Sequence, residues 1–161
     1  MINIGADKAY IKINITDYEF PEMGPDDYDS NWLEFTLDIE SEALLESPPK
    51  TGFLRAEELM QLKDYLRRCM NGELKEDKFE FLDGTMDIKC IKNGCNYKIS
   101  IDLFGELTPG DIIDSSFGFT VDAGSGDIKK TMSQLTKAYK KFPCKMEANK
   151  SFKPMKKFII D

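Results

Sequence analysis

Carboxylates are the reactive groups this chain has in excess, and histidine is the one it lacks altogether. Eleven acids fall between Lys12 and Lys50, a stretch with no basic residue: Asp17, Glu19, Glu22, Asp26, Asp27, Asp29, Glu34, Asp38, Glu40, Glu42 and Glu46. Carboxylates at this density could act as acid and base, hold a hard cation through oxygen, or present negative potential to a basic partner. Without histidine, imidazole catalysis, Ser-His and Cys-His nucleophiles and the usual imidazole metal ligands are excluded. A calcium loop needs fixed spacing, and Asp26-Asp27-Tyr28-Asp29 lacks the Asp-x-Asp-x-Asp-Gly run with a distal Glu. Negative potential needs only surface density, so the run reads as a solvated, partner-facing surface and no enzyme is expected.

Two other constellations suggest chemistry and fall short of it. Cys90 and Cys95 flank Asn93-Gly94 like half of a zinc knuckle, but only Cys69 and Cys144 remain to complete four ligands. Gly124-Ser125-Gly126-Asp127 precedes a helical pattern but lacks the Lys-Ser ending and glycine spacing of a phosphate loop. It reads as a turn in which Ser125 or Asp127 caps the helix. Neither a metal nor a cofactor is expected.

The elements that must position the acids follow from periodicity. Ile11, Ile13 and Ile15 alternate with polar residues, and Leu33, Phe35, Leu37 and Ile39 alternate with Glu34, Thr36, Asp38 and Glu40. That second run predicts a long, half-buried strand with one apolar and one acidic face. The chain's one tryptophan opens it and is out of phase with Leu33 and Phe35, so Trp32 packs outside their face, as a strand anchor in preference to a hot spot. Asp29 and Asn31 are expected to shape the turn before it by bonding nearby backbone. Ser47-Pro48-Pro49-Lys50 breaks the strand, and residues 51–55 read as a short return.

Leu59, Leu62, Leu66 and Met70 then fall at helical spacing, with acids early, Arg67-Arg68 late and Gly72 placed to stop the helix. Strands resume at Phe79 and Phe81, with turns at Asp83-Gly84 and at Asn93-Gly94, the latter a type I′ signal. Tyr97 to Leu103 and Phe117 to Val121 alternate again, with a loop over 106–114 between them. Ile128, Met132, Leu135 and Tyr139 stripe a second helix that ends before Pro143. The order strands-helix-strands-helix, with no residue-level repeat, predicts one α+β domain over residues 1–143. Its sheet is mainly antiparallel, with about seven or eight strands and two amphipathic helices. Residues 144–161 read as a basic C-terminal extension, a docked strand or a tail.

Charge sharpens the contrast. From Ile128 onward there are ten lysines against Glu147 and Asp161, a net of +8, whereas residues 1–127 carry −15. A body of that sign repels phosphate, which argues against nucleic acid as partner, and attracts a basic protein. No apolar run approaches the roughly 20 residues that span a bilayer, and the opening residues lack the pattern of a secretory signal. A cytoplasmic location, no membrane partner and reduced thiols are expected.

Tyr28-Asp29-Ser30-Asn31-Trp32-Leu33 at the head of a long strand, the helix from Glu58-Leu59 through Leu66, and Phe79 to Gly84 together resemble the WapI-type family of bacterial immunity proteins. The resemblance spans about residues 11–142. It implies a cytoplasmic protein that protects its producer by binding and blocking a toxin delivered between cells, often a nuclease. The residues expected to meet such a basic domain are Glu22, Asp26, Asp27, Asp29, Glu34, Asp38 and Glu40. The alternative is a structural or regulatory module that self-associates, its basic tail docking on the acidic body of a second copy.

Overall fold

Alternating apolar residues build eight strands, sorted into two four-stranded antiparallel meanders, each followed at once by a helix. The computed structural model describes residues 1–6, 9–41, 49–74, 77–109 and 116–145, with Glu40 and Ser41 described by backbone alone. The expected break at Ser47-Pro48, most of the loop at 106–114 and the extension beyond Lys145 fall outside the described residues. The first meander joins β1 (Ile2–Ala6), β2 (Ala9–Tyr18), β3 (Trp32–Ser41) and β4 (Lys50–Arg55), and runs into α1 (Ala56–Met70). The second joins β5 (Phe79–Glu80), β6 (Met86–Asn93), β7 (Asn96–Phe104) and β8 (Ser116–Ala123), and runs into α2 (Ser125–Lys141). The predicted single sheet is therefore two, with one order of elements used twice. No sequence repeat marks this, because the halves share a burial rhythm and not side chains.

The period-two residues all turn inward. Ile11, Ile13, Ile15, Leu33, Phe35 and Leu37 of the first sheet are buried, as are Ile88, Ile99, Ile101 and Leu103 of the second. Leu59, Leu62 and Leu66 of α1 and Ile128 and Leu135 of α2 close the core between them. Burying each such side chain stabilises the fold by about 1.5–3 kcal/mol against leaving it in water. Gly52 on β4 lies opposite Phe35, where a Cβ would stand 2.6 Å from the Phe35 ring and 3.0 Å from Leu107 of the second half. The missing side chain is what lets the two halves interlock there.

Polar groups fasten the halves as well. The Glu58 carboxylate accepts the Arg55 N–H at 2.6 Å, closing the start of α1, and the Leu82 N–H of the second half at 2.7 Å. Burial pushes the Glu58 pKa up, and the two backbone donors pull it partly back. Tyr65 donates to the Asp77 carbonyl and accepts the Cys90 N–H, and burial raises its phenol to about 12. On α2, Gln134 Oε1 accepts the Asn3 N–H at 2.8 Å, and Thr131 Oγ donates to the Asn3 carbonyl at 2.6 Å. Thr131 is thus a buried member of the α2 stripe that hydrophobic spacing did not single out.

The turn at Gly94 differs from the type I′ expectation. Asn93 pairs with Asn96, so the central residues are Gly94, at φ +62°, and Cys95, which has no positive φ. Type I′ needs positive φ at both, and glycine at the first alone is the II′ pattern. Among the described residues no helix is long and apolar enough to cross a membrane.

Candidate functional site

The connection from β2 to β3 covers residues 19–31 and carries four of the seven acids expected to meet a partner, Glu22, Asp26, Asp27 and Asp29. Its last turn is a short 3-10 helix, Tyr28–Asn31, capped by Asp27, whose carboxylate accepts the Asp29 N–H at 3.1 Å. The turn is therefore shaped by Asp27, and the two residues expected to shape it do other work. Asp29 Oδ1 accepts the Trp32 indole N–H at 3.2 Å, and Asn31 Oδ1 accepts the Lys145 N–H at 2.7 Å from across the fold. Trp32 stands on the outer face of β3, as its phase requires, beside Arg55 on β4.

Arg55 joins this motif to the second strand edge. Its guanidinium lies 4.2 Å from the centre of the Tyr28 ring and 5.7 Å from that of Trp32, and its Nε donates to Glu57. The arginine is buried at 4% exposure while Tyr28 above it is 64% exposed. A desolvated cation between aromatic faces gains more from them than an exposed one would. Ser30 Oγ, Asn31 Nδ2, Arg55 Nη1 and Glu57 Oε2 are buried here without a hydrogen-bond partner among the described residues. Buried polar atoms are seldom left open, and their concentration at one turn marks the region out.

The acids divide into groups that the sequence could not separate. Glu22 and Asp26 are exposed on the loop, with Asp27 and Asp29 next to them. Glu19 belongs with them, although it was not among the expected contacts. Partial burial, then the charges of Asp29 and Glu34, raise its pKa, so each of those two carboxylates acts on Glu19. Asp17 adds a fourth by pairing across the strands with Glu34, whose Oε2 also accepts the Thr16 hydroxyl. Asp38, by contrast, sits opposite Lys12, and Glu40 opposite Tyr10, with the Glu40 side chain outside the described residues. The even acidic row expected along β3 is thus concentrated at its loop end and met by a lysine at the other.

This arrangement suits recognition more than reaction. The loop carboxylates lie on an open surface and not around an enclosed cleft. A concavity of about 700 Å³ lies elsewhere, between α1, Leu74, residues 77–79 and Tyr139. Of the carboxylates that line it, Glu57, Asp64 and Asp77, the first is paired to Arg55 and the second to Arg67, and Lys78 beside them is shared by Glu80 and Asp87. Cys90 and Cys95 do not come together: Cys90 is buried with its Sγ 3.2 Å from that of Cys69, and Cys95 is exposed at the hairpin tip. Asp127 Oδ2 accepts the Gly124 N–H at 2.8 Å, so the glycine loop is a helix start in which Gly124 is the cap. Among the described residues no three His, Cys, Asp or Glu gather as metal ligands.

Comparison with known proteins agrees with the motif. The profile of the immunity protein WapI-like family matches residues 1–143. No curated protein matches the chain. Among solved structures, the plant transcriptional regulator PBF-2 is similar with a TM-score of 0.49 and 11% identity, over 96% of this chain and 87% of that one.

Proposed function

Because the chain belongs to the WapI-like immunity protein family, we propose that it is a cytoplasmic immunity protein that binds and neutralises a basic toxin domain, such as a nuclease. It acts by binding, with no catalytic step of its own. The contact surface is the loop end of the first sheet: Glu19, Glu22, Asp26, Asp27, Asp29 and Glu34 around the Tyr28–Arg55–Trp32 stack. Asp38 and Glu40 lie further along the same face as its outer margin.

The observation that carries this reading is the exposure of Glu19, Glu22, Asp26, Asp27 and Asp29 on one loop, beside the cross-strand pair of Asp17 and Glu34. Like charges gathered on an exposed surface cost energy when free and are relieved by a cationic partner. A phosphate-binding toxin offers such a surface, and electrostatic steering toward it raises the association rate. Tyr28, a residue type enriched where interfaces concentrate their energy, stands exposed among the acids above the buried Arg55.

The partner to test is the C-terminal domain of a large secreted protein encoded beside this chain. Association rates would be measured by stopped flow over a range of salt, for the wild type and for Glu19→Lys, Glu22→Lys and Asp26→Lys combined. All three side chains are exposed. At low salt the reversed loop is expected to slow association about tenfold or more, with a flatter salt dependence. Equal rates and equal salt slopes would remove the acidic loop from the interface.

A further inference from the structure

Two thiols meet where the halves of the fold are joined. Cys69 stands in the last turn of α1 and Cys90 in the middle of β6, 21 residues further on. Cys69 Sγ donates to the Cys90 carbonyl at 3.1 Å and to Cys90 Sγ at 3.2 Å. Tyr65, one turn earlier on the same helix, accepts the Cys90 N–H at 2.8 Å and donates to the Asp77 carbonyl. Residues at i and i+4 on α1 thus hold one residue of β6, the first by its hydroxyl and the second by its sulfur. Cys69 is 2% exposed and Cys90 3%, so core packing fixes both as firmly as the hydrogen bonds do. A single buried cysteine is a small apolar filler. Two with their sulfurs side by side are the reduced form of a cross-link.

We propose that Cys69 and Cys90 are a disulfide site, oxidised by a small-molecule disulfide such as glutathione disulfide to a bond that ties α1 to β6. The sulfurs stand 3.2 Å apart and a disulfide needs about 2.05 Å, which leaves about 1.2 Å to close. One cysteine thiolate attacks a sulfur of glutathione disulfide, whose S–S bond breaks, and one glutathione leaves and takes up that cysteine's proton. The second thiolate attacks the protein sulfur of this mixed disulfide, and the second glutathione leaves with the other proton. The protein gives up two electrons and glutathione disulfide receives them. Access sets the rate. Burial, then the hydrogen bond from Cys69, push the Cys90 thiol up, and an oxidant of this size does not reach either sulfur in the closed fold. The bond therefore forms while the chain folds or opens locally, and the finished fold favours it by holding the sulfurs together. The pair lies in the core and makes no use of the acidic loop, so it is independent of the immunity reading.

The test uses the full chain with the exposed thiol removed by Cys95→Ser, which leaves Cys69, Cys90 and Cys144 to compete. The reduced protein is unfolded in urea and refolded by dilution into a buffer of reduced and oxidised glutathione. It is then quenched in acid and alkylated under denaturing conditions. Trypsin places the two thiols on separate peptides, residues 69–75 and 90–92. These peptides are expected as one linked species in most molecules, with the alkyl group on Cys144. The oxidised protein is expected to melt about 5–10 °C above the reduced one. Cys90→Ala in the same background is expected to fold and to show no such gain. Cys69 and Cys90 left free or capped by glutathione, links spread over all three pairings, or a linked protein that melts below the reduced form would each overturn the proposal.

Discussion

The two halves of the molecule are built to one plan and differ in what they show to solvent. In the second half β6 and β7 join through a two-residue turn between the paired Asn93 and Asn96, and the outer face mixes its charges. Lys98 stands opposite Asp122, and Lys78 pairs with Asp87. In the first half the connection of residues 19–31 is long, every charged residue in it is acidic, and the β4 edge supplies Arg55 to its turn. The lesson is that the meander-and-helix unit is scaffold, satisfied equally well in both copies. What sets the first copy apart is a loop that no strand pairing requires. Loops on a rigid sheet can change charge and length at little cost to the core, which suits a surface matched to one partner.

Removing core side chains tests whether the halves are one folding unit. Phe35→Ala in the first sheet is expected to cost about 3–5 kcal/mol, and Ile101→Ala in the second about 2–5 kcal/mol. Because Leu107 and Glu58 tie the halves, each change is expected to move a single calorimetric transition. Two transitions, only one of them shifted, would show that the halves are independent.

Gly52→Val probes the interlock itself. The new side chain meets Phe35 and Leu107, and urea unfolding should show a loss of about 1–3 kcal/mol. An unchanged midpoint would mean that the halves part there without cost.

Glu58→Gln sharpens the comparison through pH. The amide cannot accept both backbone N–H groups, so a cost of about 1–3 kcal/mol is expected. Burial raises the Glu58 pKa above its ordinary value near 4.5, so within that window the folded protein binds more protons than the unfolded chain. The contribution of Glu58 is therefore fullest below pH 4.5 and declines as pH rises through the raised pKa. The stability gap between wild type and variant should narrow over the same range, and a gap that widens would reverse the assignment.

The smallest stability effect is expected from charge. Glu19→Lys, Glu22→Lys and Asp26→Lys combined should change stability within about 0.5 kcal/mol, and so should Asp102→Lys, Glu106→Lys and Asp122→Lys. Only the first set is expected to slow toxin association. Equal slowing by both would make the field of the whole body, and not the loop, the steering element.

Much of this fold was legible because burial has a period. The alternation at Ile11–Ile15, Leu33–Leu37 and Tyr97–Leu103 and the stripe at Leu59–Leu66 all mark faces that are buried. Helix α1 ends at Asn71 with Gly72 at φ +73°, the conformation for which glycine is suited. The split into two sheets was not legible, since alternation says which face is apolar and nothing of where pairing stops. For the site, the density of acids was plain from composition, but their grouping depended on register. Lys12 meets Asp38 only because β2 pairs with β3 as it does, and Arg55 meets Trp32 only through the β3–β4 pairing. Tyr28 and Arg55 are remote in sequence, and nothing local to either announces their stack. Glu19 looked like any other acid until the fold placed Asp29 and Glu34 beside it.

The hydrogen bonds from α2 to Asn3 bear on how this protein meets other chains. An outer strand with idle amides is a template on which a foreign strand can grow, by partner recruitment or by aggregation. Here Gln134 and Thr131 occupy both backbone groups of Asn3, in the middle of β1. A visiting strand would have to strip off part of a helix before it could add to that margin. Assembly along β1 is thus closed by the protein's own side chains.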